Sequence, residues 1–263
     1  MRRRETISVR LRSAARLAHR GLLFPALDFL LPAACFVCGA PLGRWQHLGA
    51  CTRCWSGFQP LRPPFCLRCG LPAPSGTDLL GPSRGLCARC LVSPPVLDGV
   101  RAAVAYDGPA RRFVLRAKLG RRRELLLPMA LRLASAVRAS GLHDGCTIIA
   151  PVPSHPLADL RRGFSPSREL ARCLSRTLRV PLASRLLRRR IGAGEATKRL
   201  PAAARFAAAG REFRNRGPVR GATVLLVDDV MTTGASAESC ASLLKNAGAA
   251  GVRLAVWARR FRD

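Results

Sequence analysis

The stretch Val224-Leu225-Leu226-Val227-Asp228-Asp229-Val230-Met231-Thr232-Thr233-Gly234-Ala235-Ser236 restricts the fold more than any other part of this chain. Val224 to Val227 is an unbroken aliphatic run, the pattern of a strand buried on both faces. Ala235 to Ala247 then reads as a helix, and Gly248 suits its C-terminal cap. A buried strand feeding a helix through a small-residue turn belongs to a mostly parallel sheet, where ligands bind at the carboxyl ends of the strands. Asp228 and Asp229 emerge there, and two neighbouring carboxylates suit the hydroxyls of a ribose or a Mg²⁺ ion. The turn Thr232, Thr233, Gly234, Ala235, Ser236 offers backbone N–H groups and hydroxyls to a phosphate, with a helix N-terminus aimed at the same point. An acidic turn that merely caps a helix needs only one acid, and no aliphatic run ahead of it.

Other segments alternate in the same way. Val100 to Tyr106, Thr147 to Ala150 and Val252 to Ala258 read as strands. Ala110 to Leu119, Glu124 to Ser140 and Pro166 to Leu178 read as helices, with Pro128 tolerable early in the second. The region from Arg188 to Gly221 shows no clear element and is too long for an ordinary connection, so a functional loop is expected there.

Ahead of this domain the composition changes. Residues 35–90 hold eight of the eleven cysteines, in four Cys-x-x-Cys pairs: Cys35/Cys38, Cys51/Cys54, Cys66/Cys69 and Cys87/Cys90. Two thiolates at that spacing grip one metal ion from a tight turn, and two turns complete a tetrahedral site. The pairs also repeat: Cys35-x-x-Cys38-Gly39-x-Pro41 recurs as Cys66-x-x-Cys69-Gly70-x-Pro72. Gly39 and Gly70 supply the open backbone of a metal knuckle. The expectation is structural Zn²⁺ with no open coordination position, most simply two ions paired in sequence, although interleaved pairing satisfies the same spacing. A disulfide framework requires an oxidising compartment, and no credible export signal is present. Cys146, Cys173 and Cys240 sit in apolar or helical settings and are expected to pack. The organisation expected is a basic lead-in over residues 1–34, a zinc module over 35–93 and an α/β domain over 96–263, with Pro94-Pro95 at the boundary.

The formal net charge is +30, almost all of it arginine. Such a surface attracts polyanions, and arginine enrichment by a GC-rich genome accounts for the same number. With 5% aromatics the core must be aliphatic, and few rings are available to stack single-stranded bases. Trp45, Trp55 and Phe65 lie near the cysteine pairs and either stack bases or pack around metal. The run Gly21 to Pro32 is interrupted by Pro25 and Asp28 and is too short to span a bilayer, so a cytoplasmic protein is expected.

The strand–turn–helix stretch resembles the phosphoribosyl pyrophosphate (PRPP) motif of type I phosphoribosyltransferases. The chain as a whole is similar to the ComF family, in which cysteine pairs precede such a domain. The likeness includes Lys118-Leu119-Gly120, Pro151-Val152-Pro153-Ser154-His155-Pro156 and Arg161-Arg162-Gly163-Phe164. It implies that Asp228 and Asp229 fix the ribose, and that Thr232, Thr233, Gly234, Ala235 and Ser236 hold the 5′-phosphate. It also implies that Ser154 and His155 line the pyrophosphate side with Arg161 and Arg162 as nearby cations, that Lys118 is a further PRPP-binding residue, and that Mg²⁺ accompanies PRPP. Arg205 corresponds to an arginine of the loop that closes over substrate. The family continues Arg-Gly-Phe with Asn-Gln where Ser165-Pro166 stands here, and Thr197 and Ala208 replace loop Gln and Asn. The resemblance therefore implies a phosphoribosyltransferase releasing pyrophosphate, or a protein that keeps the fold and handles single-stranded DNA in concert with DNA-uptake proteins.

Overall fold

The computed structural model describes residues 34–42, 49–61, 63–72, 85–190 and 212–261. They fall into two compact units, one ending at Trp55 and the other running from Ser56. The composition change near residue 93 does not coincide with that division, because Cys66, Cys69, Cys87 and Cys90 lie in the second unit with the α/β elements.

The aliphatic runs of the second unit become strands β1 (Gly99–Ala105), β2 (Ile148–Pro151), β5 (Thr223–Met231) and β6 (Gly251–Arg259), with β3 (Leu187–Arg189) and β4 (Phe213–Asn215) as a separate pair. Among the described residues, the helices longer than five residues are α1 (Gly108–Leu119), α2 (Leu126–Ala139), α3 (Pro156–Arg162), α4 (Pro166–Leu178) and α5 (Ala235–Asn246). The main sheet is parallel throughout, in the order β1-β6-β5-β2. Its two central strands, β5 and β6, are nine residues long each and are buried along most of their length.

Helices α2 and α4 pack together on one face, α2 against β1 and β6 and α4 against β2 and β5. In α4, Leu170, Leu174 and Leu178 recur every fourth position and are all buried. Pro166 fits the first helical turn, where its missing N–H is not needed. An aromatic trio also fills this unit: Phe58, Phe113 of α1 and Trp257 of β6 stand with ring centroids 5.5–6.0 Å apart, and all three are fully buried. Truncating Trp257 to Ala would cost about 3–5 kcal/mol. Around α5, a second apolar layer joins Cys240, Ala241 and Leu244 to Val224, Leu226, Val252 and Leu254, with Leu187 and Phe213 from the β3–β4 pair.

Two expectations change. The region from Arg188 to Gly221 was expected to contain no element, yet its ends form the antiparallel pair Leu187↔Asn215 to Arg189↔Phe213. These strands are three residues long, below the length at which alternation is readable. The buried strand expected at Val224–Val227 continues to Met231, so both aspartates lie within it and Asp228 pairs in register with Val256. Gly248 does occupy the left-handed position after α5, with φ +92°. Among the described residues, no helix is long and apolar enough to cross a membrane.

Candidate functional site

The end of β5 carries the two acids to the carboxyl edge of the sheet. Asp229 is buried, and its Oδ1 accepts a hydrogen bond from Lys118 Nζ at 2.8 Å. Lys118 reaches it from the last turn of α1, which Ala110, Phe113, Val114 and Ala117 fix against the core. Asp228 Oδ1 accepts from Ser167 Oγ at 2.8 Å and from the Asp229 backbone N–H at 2.8 Å. Ser167 sits in the first turn of α4, close after Ser165 at its N-cap. Burial, and then the neighbouring Asp229 carboxylate, push the Asp228 carboxyl up to about 7, against the donors that favour its charged form.

The turn after β5 opens α5. Gly234 has φ +81°, a conformation that costs a side-chain-bearing residue, and a Cβ there would lie 2.4 Å from Met231 Cε. Thr233 Oγ1 accepts from the Ala235 N–H at 3.3 Å. Thr232 and Thr233 are exposed, and Gly234, Ala235 and Ser236 are half-buried. Backbone N–H groups at the start of a twelve-residue helix are thus offered at the sheet edge beside the two carboxylates.

The other expected residues divide. Ser154 does not present a free hydroxyl: its Oγ donates to Asp159 Oδ2 at 2.5 Å and lies 3.0 Å from Ser165 Oγ. This small network ties the loop after β2 to the start of α4, and so to Ser167 and Asp228. His155 is exposed at the N-cap of α3, and Arg161 is exposed on that helix. Arg205, Thr197 and Ala208 lie outside the described residues, as does Trp45. Ser167 and Ser165 were not singled out as ligands or positioning groups. The available signal was Ser-Pro-Ser ahead of the leucine periodicity of α4, an N-terminal signature that places short hydroxyls at a helix start.

The cysteines assemble as two sets, Cys35/Cys38/Cys51/Cys54 and Cys66/Cys69/Cys87/Cys90, with the sulfurs of each set within 4.8 Å of one another. Pairing is therefore sequential rather than interleaved, and none of these cysteines forms a disulfide. The two knuckles repeat one geometry. Cys51 N–H donates to Cys35 Sγ at 3.3 Å, and Cys87 N–H donates to Cys66 Sγ at 3.4 Å. Gly39 and Gly70 have φ +78° and +69°. Burial works to raise the Cys35 and Cys66 thiols, but the backbone donors around each outweigh it and bring both down to about 6. Burial raises their partners Cys54 and Cys90. Four sulfurs at this spacing, one of them poised as a thiolate, are the donor set of structural zinc. The Arg101 guanidinium covers one face of the Phe65 ring, with Cζ 4.6 Å from the ring centroid.

A family model described as a double zinc ribbon domain matches residues 26–91, and one described as a phosphoribosyl transferase domain matches residues 158–262. The DNA utilization protein YhgH of Salmonella typhi is 31% identical over 230 residues, covering 86% of this chain and 96% of that protein. YhgH of Escherichia coli K12 is 32% identical over 234 residues, with the same coverage. Competence protein F of Haemophilus influenzae is 26% identical over 223 residues, covering 80% of this chain and 89% of that protein. With a zinc-ribbon-like cysteine module ahead of an α/β domain built on a phosphoribosyltransferase-like parallel sheet, the chain belongs to the ComF/YhgH family.

Proposed function

We propose that this chain handles single-stranded DNA in DNA uptake or utilization, and that its α/β domain binds PRPP or a close ribose 5-phosphate relative, with Mg²⁺, as part of that role. The carrying observation is that both aspartates and the phosphate turn stand together at one sheet edge, each carboxylate held by a partner from a different helix. Relatives named for DNA utilization and competence, and the net charge of +30, support the nucleic-acid half of the reading.

In this reading Asp228 and Asp229 accept hydrogen bonds from the ribose hydroxyls. The turn from Thr232 to Ser236 holds the 5′-phosphate through N–H groups and hydroxyls. Lys118 orients Asp229 and places a cation at the pyrophosphate side. Bound Mg²⁺ would neutralise pyrophosphate charge, and the Asp228–Asp229 pair is the acidic group present to hold it directly or through water.

Turnover is the second reading, favoured by the Lys118 ammonium beside Asp229. A nucleophile would join the anomeric carbon as its bond to oxygen breaks, and pyrophosphate would leave with the electron pair. Binding without transfer is the better supported of the two. Ser165 and Pro166 occupy the positions where the resemblance calls for Asn and Gln, and the Ser165 hydroxyl lies 3.0 Å from Ser154 Oγ.

Two measurements on one preparation test the proposal. Single-stranded DNA should bind with affinity that falls steeply with rising salt. PRPP with Mg²⁺ should bind without releasing pyrophosphate across a panel of nucleobases and amines. Pyrophosphate release with any acceptor would establish turnover, and absence of DNA binding at low salt would remove the nucleic-acid role.

A further inference from the structure

The second unit buries two guanidinium groups that have no carboxylate partner among the described residues. Arg101 is 8% exposed and Arg259 is 7% exposed. A buried charge of this kind is retained only where something of opposite sign stands close by. Both arginines converge on the second cysteine set. Arg101 covers the ring of Phe65, the residue before Cys66, and its Nη1 donates to Val100 O at 3.1 Å. That same carbonyl abuts the knuckle, lying 2.2 Å from where a Cβ on Gly70 would be. Arg259 Nη1 donates to the backbone carbonyl of Cys69. In register Arg101 stands opposite Ala255 and Ala105 opposite Arg259, so both side chains leave the same face of the sheet.

The charges match. A zinc ion of charge +2 held by four thiolates carries a net charge of −2, and two guanidinium groups carry +2. Among the described residues of the first set's unit there is one arginine, Arg53, and it is exposed rather than buried. We propose that Arg101 and Arg259 are the charge counterpart of a zinc tetrathiolate at Cys66, Cys69, Cys87 and Cys90. Neither arginine is a ligand. Each is a positioning residue that lowers the cost of holding four thiolates around one ion.

The inference rests on the second set holding zinc, so the zinc content of full-length wild-type protein is measured first, and absence of a second ion overturns it at that step. Transfer of zinc to a chromophoric chelator is then followed for wild-type protein, Arg101→Met, Arg259→Met and Arg259→Lys. Alkylation and peptide mapping identify which cysteines have been released. In each Met variant one of the two ions should leave about tenfold faster. The cysteines freed with it should be Cys66, Cys69, Cys87 and Cys90, while release from the first set stays unchanged. Arg259→Lys keeps the charge and should behave like wild type. Folded Met variants with wild-type release, or a folded Arg259→Lys variant that loses zinc as fast as Arg259→Met, would overturn the proposal. Should a Met variant not fold, Arg101→Lys and Arg259→Lys carry the test, with wild-type release as the supporting result and faster release as the contrary one.

Discussion

Lys118 Nζ and Asp229 Oδ1 stand 2.8 Å apart, joining the last turn of α1 to the buried end of β5. The two partners are unequal. Lys118 keeps about a quarter of its side chain in solvent, at 27%, whereas Asp229 keeps 9%. Losing one partner therefore has different consequences on each side. Lys118→Met leaves a buried carboxylate beside a second one, and should cost about 1–3 kcal/mol. Asp229→Asn leaves an ammonium that can turn to water and removes repulsion from Asp228, so stability should change little or rise. Urea unfolding of the two variants gives the comparison.

The same crowding makes stability depend on pH through Asp228. Its carboxyl is raised to about 7 by burial and by the Asp229 charge. A group raised in the folded state stabilises it while protonated. This contribution is therefore complete below the ordinary carboxylate range and is lost as pH rises through about 7. Thermal melts of the ligand-free protein should fall between pH 5 and pH 8, a decline that Asp228→Asn flattens. An identical decline in that variant would assign the effect to other groups.

Gly234→Val tests the turn. The position has φ +81°, and an added side chain meets the end of Met231. Met231 is flexible enough to move aside, so most of the cost is backbone strain of about 1–2 kcal/mol. Ribose 5-phosphate binding should fall by more than stability does, because the same side chain blocks the approach of a phosphate to the backbone. Calorimetry beside a melting curve separates the two effects.

Cysteine removal should distinguish the two metal sets. Cys87→Ser strikes the set that shares a compact unit with the sheet, and should lower the melting temperature of the α/β domain. It should also loosen the turn after β5, since Arg259 binds the Cys69 carbonyl and the N–H of Arg260 donates to Met231 O at 2.9 Å. Cys51→Ser, in the first unit, should leave both properties unchanged.

Short-range chemistry was legible in the sequence. The aliphatic run into Asp228-Asp229, the small-residue turn, the Cys-x-x-Cys pairs and the left-handed glycines at 39, 70 and 248 all follow from neighbours a few positions apart, whereas the joining of the pairs in sequence order, left open by their spacing, comes from the fold. What escaped depends on partners distant in the chain. Lys118 meets a residue 111 positions away, and Ser167 one 61 positions away. Helix α3 is seven residues long with no buried residue, so it carries no apolar periodicity to read. Arg101 and Arg259 lie in segments that read as strands or at their ends, and nothing local announces that cysteines neutralise them. Ser154 looked available because its two hydrogen-bonding neighbours, Asp159 and Ser165, are set by the turn of α3 rather than by the loop itself.

The central claim is that the Asp228–Asp229 edge and the turn after it bind a phosphorylated ribose, and calorimetric titration of PRPP with Mg²⁺ into the full-length protein tests it most directly. Wild-type protein should bind one PRPP per chain. Asp228→Asn/Asp229→Asn should remain folded and bind more weakly by about 2–4 kcal/mol, the loss expected for two charge-assisted contacts. Folded wild-type protein that takes up no PRPP, or a double variant that binds it as tightly as wild type, would contradict the account.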